Sequence, residues 1–233
     1  MPGRALMVSG FADVLARRRS VRAFTNQRVE QAALQRICRA ARRAPSGANL
    51  QPGIFHVLTG AALQGLIDRL QAAQENAEPI SEEYSYFPDR MTAELKDRQR
   101  RAGYALYQAL GITRRDIAGR RAQFARNYAF FGAPVGVVVT IDPTMGKGSF
   151  MDLGMAIMAF LLAAEDEGLG ASGIGALANY GPQVHQHLEL PENEMVVCGI
   201  AVGFPDRQAK VNQFRTERCD LPDFTRFHGF EET

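Results

Sequence analysis

The stretch "SFMDLGMAIMAFLLAAEDEGLG" constrains this chain more than any other. Its spacing predicts a helix over about 149–167, started by Ser149 and stopped at Gly168, where glycine suits a helix end. A surface helix shows one apolar stripe; this one is apolar nearly all round, which implies burial on every side. In a chain of 233 residues that leaves two arrangements. Either the helix is central to the fold, or part of its face packs against a second copy of the chain.

The rest of the chain supplies a partner for such a helix. "VGVVVTI", 135–141, is a continuous apolar run and predicts a strand buried on both faces. "IFHVLT", 54–59, and "MVVCGIAVG", 195–203, predict two more strands. Helices are expected at 11–17, 30–43, 61–74, 92–110, 114–130 (capped by Thr113) and near 182–188. Residues 18–24 read as extended, and the stretch 168–180 as glycine-rich loop. "ENAEPISEEYSYFPD", 75–89, with two prolines among polar and aromatic residues, reads as a lid or surface loop. The tail from Pro205 reads as irregular, with Phe214, Leu221, Phe224, Phe227 and Phe230 as apolar anchors. Strands and helices are mixed without strict alternation, so the expected class is α+β in three layers.

Composition removes several function classes. The formal net charge is +2, too small for a chain that binds polyanions as a whole. Of 27 basic residues only Lys96, Lys147 and Lys210 are lysines, and the other 24 are arginines. Such a bias follows from genome composition, so only local arginine geometry bears on function. The start "MPGRALMVSGF" lacks the apolar core and cleavage site of a secretory leader. No run approaches the roughly 18 apolar residues of a membrane span. Cys38, Cys198 and Cys219 are far apart, odd in number and outside any CxxC spacing, which predicts reduced thiols in a cytoplasmic protein. His185 and His187 lie two apart and would diverge on a helix, and no metal site built by the protein is expected.

One motif is a decoy. "GLGASG", 168–173, fits G-x-G-x-x-G, but a long helix precedes it where a dinucleotide fingerprint needs a strand. Its small residues Ser172, Gly173, Gly175 and Ala176 either let backbone approach a flat ligand or form a plain turn.

Three signals remain. In "RRRSVRAF", 17–24, an extended backbone puts Arg18, Ser20 and Arg22 on one side, across roughly 13 Å. The paired donors of a guanidinium suit phosphate. A solvated basic face is the competing reading, and a nucleic-acid surface a weaker one, because acids interleave the other arginines. "PSGANLQP", 45–52, offers Ser46, Asn49 and Gln51 on a loop shaped by Pro45 and Gly47. "NQFRTER", 212–218, carries Arg215 and Arg218, which either close on one phosphate or lie in a surface tail.

In this order, the three signals resemble the FMN-dependent nitroreductase family. "EYSYFPDR", "LYQALGI", "ARNYAFFGAPVGVVVTID", "GSFMDLGMAIM" and "ENEMVVCGIAVGFPD" are most similar to its nitroaromatic-reducing branch. The resemblance implies one domain over 1–233, a mixed, mainly antiparallel sheet flanked by helices, and a lid or insertion around 75–130. It implies a homodimer with two FMN sites at its interface, which would account for the apolar helix. Arg18 and Arg218 would contact the FMN phosphate, with Arg215 beside them and Arg19 or Ser20 assisting. Arg22 would reach the N1/O2 edge of the flavin. Pro45, Ser46, Gly47, Asn49 and Gln51 would approach the flavin of the partner subunit. Gly173, Ile174 and Gly175 would lie along the ring near N5.

The implied chemistry is ping-pong: NADH or NADPH delivers hydride to FMN, leaves, and is replaced by a small aromatic acceptor such as a nitroarene or quinone. No catalytic side chain is implied, because the flavin carries the chemistry. Reductive dehalogenation, ene reduction and flavin reduction use the same fold and stay open. Two residues depart from the family pattern. Gly53 stands where Trp is common, implying a more open site or a gap. Ile174 stands where a polar Gln is common, implying a change in substrate polarity. In the 75–89 loop, Tyr84, Tyr86 and Phe87 are the expected aromatic cover of the acceptor site.

Overall fold

The computed structural model describes residues 10–81 and 83–230. The start of the chain, where no leader was expected, lies mostly outside them, as does Glu82 of the 75–89 loop.

The strand β2 (Val135–Ile141) decides the layering. All seven of its residues are buried, because both faces are covered. Side chains alternate across a strand. Val135, Val137, Val139 and Ile141 face one core, and Val138 faces another. The first core is roofed by α2 (Gln31–Ala41) and α6 (Lys147–Asp166), through Leu34, Ile37, Leu153 and Phe160. The second is roofed by α3 (Gly60–Glu75) and α7 (Gly181–His187), through Leu63, Leu66, Leu70 and Val184. The result is three layers, helix on sheet on helix.

The sheet order is β1-β2-β4-β3, with β1 at Ile54–Thr59, β3 at Gly170–Ile174 and β4 at Met195–Gly203. All its ladders are antiparallel. A bulge between Val139 and Thr140 changes the parity of β4. Cys198, Ile200 and Val202 face the first core above the bulge, and Met195 and Val197 face it below.

β3 was not expected. "GASGI" has almost no side chain, so the usual signature of a strand is missing. It forms because β4 offers a buried ladder and because a second segment closes on its outer side. Val21 N–H donates to Ala171 O at 3.1 Å, and Ser20 bridges Ala171 in parallel. The four-stranded sheet itself is antiparallel throughout, not mixed as expected, and this isolated bridge is the parallel pairing at its edge. A Cβ on Gly170 would lie 2.6 Å from Val21 Cγ2, so only glycine admits the approach.

Other boundaries shift for local reasons. The helix expected at 114–130 is α5 (Ile117–Ala125), and its cap is Asp116 Oδ1 on Gly119 N–H, not Thr113. α4 (Ala93–Ala109) starts at Thr92 as expected and buries no side chain. α6 starts two residues before Ser149 and ends as expected, with Gly168 at φ 75°. It is long and apolar enough to cross a membrane by length and composition, closer to such a span than the sequence reading allowed. Here it packs on α2, β3 and α1 (Phe11–Arg17). Only one side of it is covered: Leu153, Ala156, Phe160 and Ala164 are buried, while Met151 is 70% exposed and Met155 exposed as well. Of the expected tail anchors, Phe214 is half-buried, while Leu221, Phe224, Phe227 and Phe230 lie exposed.

Candidate functional site

Where α1 ends, the chain turns extended and lies along β3. The tail returns to the same place through a short turn at Lys210–Asn212. Between them is a cavity of about 520 Å³, lined by five arginines: Arg18, Arg19, Arg22, Arg215 and Arg218. Ser20, Phe214, Thr216 and Met158 of α6 complete most of its wall, and no carboxylate lines it.

Burial lowers the pKa of Arg18 first; the charges of Arg218 and Arg215 lower it further, against Glu165. Burial alone lowers that of Arg22. A guanidinium held partly out of water beside like charges is short of an anion. Among the described residues Arg18 makes no side-chain hydrogen bond. Arg22 stacks its guanidinium over Phe131, 5.9 Å from the ring centre.

The strict alternation expected over 18–22 does not hold. Arg19 lines the same cavity as Arg18 and Arg22, because the segment makes a single bridge, not a ladder. Arg19 Nη1 also donates to Asn212 O at 2.8 Å. Arg17, expected in solvent, reaches Glu165 at 3.3 Å while staying exposed. Arg215 donates to Ala16 O and Arg17 O, unsatisfied carbonyls at the end of α1, and so pins the tail to that helix. Arg218 folds onto Thr216 Oγ1 at 2.7 Å.

The 45–51 loop is rigid but stands elsewhere. Ala48, Asn49 and Gln51 hold φ of 49°, 57° and 50°. Ser46 Oγ accepts from Gln51 N–H at 2.9 Å, and Gly47 N–H donates to Asp152 Oδ2 at 3.0 Å. Arg42 straps the exit of the loop, donating to Gln51 O at 2.6 Å and Gly53 O at 2.7 Å. Pro45, Gly47, Asn49 and Gln51 are exposed. The loop sits at Asp152, near the start of α6, whereas Arg17 pairs with Glu165 near its end. Those positions are about 20 Å apart along a helix. One chain therefore unites 18–22 with 212–218 and leaves 45–51 apart.

Gly173, Ile174 and Gly175 end β3. The Ile174 side chain is buried in the second core beside Leu177 and Phe130, so only its backbone can face a ligand. An isoleucine at this position therefore fills the core and does not set the polarity of a binding wall. Gly175 lies beneath Tyr86, whose ring would meet a Cβ there at 2.7 Å. Tyr86 and Phe87 stack edge to face, 5.1 Å apart and exposed. Tyr84 is no cover: its hydroxyl donates to Val197 O, its ring packs near Phe150, and burial raises its pKa. Gly53 leaves no gap either, since a Cβ there would meet Leu153 Cδ1 at 2.4 Å.

The sequence reading missed Asn212. It lay inside a quoted stretch, but a lone Asn in a tail gives no sign that it is buried and bonded on every side.

A profile of the nitroreductase family matches residues 15–204. The chain belongs to the nitroreductase family. The match spans the 18–22 segment, the 45–51 loop and all four strands, and stops before Arg215 and Arg218. A 4-nitrobenzoate reductase of Pseudomonas putida is 34% identical over 97% of this chain and 99% of its own length. A chloronitrobenzene nitroreductase of Comamonas testosteroni is 35% identical over 94% and 97%. Among solved structures, the FMN- and NADPH-dependent nitroreductase NfnB from sphigopyxis sp. strain HMH superposes with a TM-score of 0.92. It is 38% identical, over 95% of this chain and 100% of that one. The family profile thus covers every segment that builds the arginine cavity except the tail, and the superposition, over 95% of the chain, reaches the tail as well.

Proposed function

We infer that this protein is an FMN-dependent oxidoreductase that uses NADH or NADPH to reduce nitroaromatic or quinone-like acceptors by two electrons. The observation that carries the reading is the arginine cavity. Five guanidinium groups face one volume without a carboxylate among them, and burial and mutual repulsion already disfavour the charge on Arg18. A phosphate dianion is the ligand such a site lacks. The similar proteins named above support the same reading.

Arg18 and Arg218 hold the FMN phosphate, with Arg19 and Ser20 beside it. Arg22, already desolvated, would face the flavin's N1/O2 edge, where a cation favours added negative charge. The backbone of Gly173, Ile174 and Gly175 lines the N5 edge. Arg215 fixes the tail against α1 and so holds Arg218 in reach. FMN held there would supply the two-electron redox chemistry between a reduced nicotinamide and the acceptor. Tyr86 and Phe87 exclude water from the acceptor position over Gly175, and the 75–130 region closes around it.

The site is completed by a second copy. The exposed side of α6 and the exposed apolar tail give each chain the surface for a homodimer. Two copies of α6 packed antiparallel bring the 45–51 loop of one chain to the arginine cavity of the other. Three free cysteines support placement in the cytoplasm.

The test is direct. Purified protein should be yellow with one FMN per chain, bleach anaerobically with NADH or NADPH, and recover its colour on addition of 4-nitrobenzoate. A panel of quinone, enone, halophenol and free-flavin acceptors fixes the reaction. Colourless protein that takes up no FMN overturns the reading.

A further inference from the structure

A second cavity, of about 590 Å³, lies between α3, α5 and the 3₁₀ turn Gly175–Tyr180. It shares no lining residue with the arginine cavity. One wall is a chain of rings. Phe124 meets Tyr128 edge to face at 5.9 Å, and Tyr128 meets Tyr180 at 5.0 Å. Tyr107 of α4 also lines the cavity, with the guanidinium of Arg120 over its face at 5.0 Å. Arg121 stands beside it at the rim. No carboxylate lines the cavity, and neither arginine has an acidic partner among the described residues.

Beside the two guanidinium groups, the polar lining consists of the Gln74 and Asn179 amides and tyrosine hydroxyls. Asn179 Nδ2 donates to the Tyr128 hydroxyl oxygen at 3.1 Å, which leaves the hydroxyl proton of Tyr128 without an acceptor among the described residues. Burial raises the pKa of Tyr128, so that proton stays on. Aromatic walls accept a flat ring, and two guanidinium groups with a phenol accept a carboxylate. The volume lies in the ordinary range for small-molecule sites.

We propose that this cavity is a binding site for planar aromatic carboxylates, separate from the flavin. Such a ligand bridges α3 and the Gly175–Tyr180 turn to the α4–α5 hairpin. Because α4 buries no side chain of its own, the ligand holds that hairpin against the body. The inference does not require the arginine cavity to hold FMN.

The experiment uses the purified protein as isolated, with benzoate as probe and benzamide as its uncharged analogue. Calorimetry and ligand-detected NMR are run on wild type, Arg120→Met/Arg121→Met and Tyr128→Phe, each checked for an unchanged circular dichroism spectrum. Benzoate should bind saturably, and more tightly than benzamide. The double variant should weaken it about tenfold or more, and Tyr128→Phe should weaken it less. Benzoate should slow proteolysis within 93–125 and leave the visible spectrum of any bound flavin unchanged. Equal binding to wild type and the double variant overturns the proposal. So does absence of binding, or binding that only perturbs the flavin spectrum.

Discussion

Asn212 fixes Arg22 through the main chain: its Oδ1 accepts from Arg22 N–H at 2.8 Å. Its Nδ2 donates to Ala23 O and to Asp206 O, each at 2.8 Å. One buried side chain thus ties the tail, the segment just after β4 and the 18–23 segment together. Loss of the Asn212 side chain would take that partner from Arg22 N–H and from Asp206 O, while Ala23 O would keep its bond from Asp206 N–H. Asn212→Leu should cost about 2–4 kcal/mol in urea unfolding. It should also weaken FMN binding, measured by fluorescence titration. Unchanged FMN affinity in a folded variant would show that the 18–22 segment keeps its shape without Asn212.

Arg18 should behave in opposite ways with and without ligand. It makes no side-chain hydrogen bond among the described residues, and burial, Arg218 and Arg215 all disfavour its charge. Removing it from the ligand-free protein should leave the melting temperature equal or higher. With FMN present, Arg18→Ala should raise Kd about tenfold to a hundredfold, and the difference should shrink in high salt. A melting temperature that falls in the ligand-free variant would mark Arg18 as structural.

The stability of the α3–α7 face should depend on acid. Arg69 holds both oxygens of Glu78 at 2.8 Å, and Gln183 Nε2 donates to one of them at 3.0 Å. These bonds, Arg69 first, lower the pKa of Glu78 below its usual value. A lowered folded pKa means the contribution is complete above the unfolded value and is lost as pH falls through the folded one. Glu78→Gln should therefore melt below wild type at pH 7, and the gap should close as pH drops below about 4. A gap constant with pH would rule out ionisation as its source.

The three thiols should separate by reactivity. Burial pushes Cys198 up to about 12 and raises Cys38 as well. Cys219 is exposed. Thiolate is the reacting form, so brief iodoacetamide treatment of native protein at pH 7.5 should label Cys219 alone. Peptide mass spectrometry reads the outcome, and Cys219→Ser should remove the label. Labelling of Cys198 in native protein would mean that β4 opens.

The sequence carried the layers better than the site. β2 and β4 were legible because a run such as "VGVVVTI" has one stable place, between two covered faces. β3 was illegible because "GASGI" draws its stability from what closes on it, Val21 and β4, and not from its own residues. Arg18, Arg22 and Arg218 were legible as a set, since phosphate chemistry asks for arginine. Arg19 was misplaced because period-two reasoning assumes a regular strand where the chain makes one bridge. Asn212 and the Phe124–Tyr128–Tyr180 wall had no signal, because each depends on contacts more than 50 residues apart in the chain.

Gly53 gives the sharpest test of how the 45–51 loop is held. Its φ of 86° disfavours any side chain, and a Cβ would sit 2.4 Å from Leu153 Cδ1 and 3.1 Å from Thr140 O. Gly53→Ala should cost about 1–3 kcal/mol from strain and overpacking together. Gly53→Trp should cost more, because a ring there would meet Leu153 of α6 at once. Since Arg42 grips the carbonyl of Gly53, displacement there should carry into Gln51; if the 45–51 loop completes the site of a second copy as proposed, FMN binding should weaken too. Leu153→Ala should relieve the clash and leave the φ strain, so a double-mutant cycle between positions 53 and 153 should show a favourable coupling of about 1 kcal/mol. Strict additivity would place the whole cost of Gly53→Ala in the backbone.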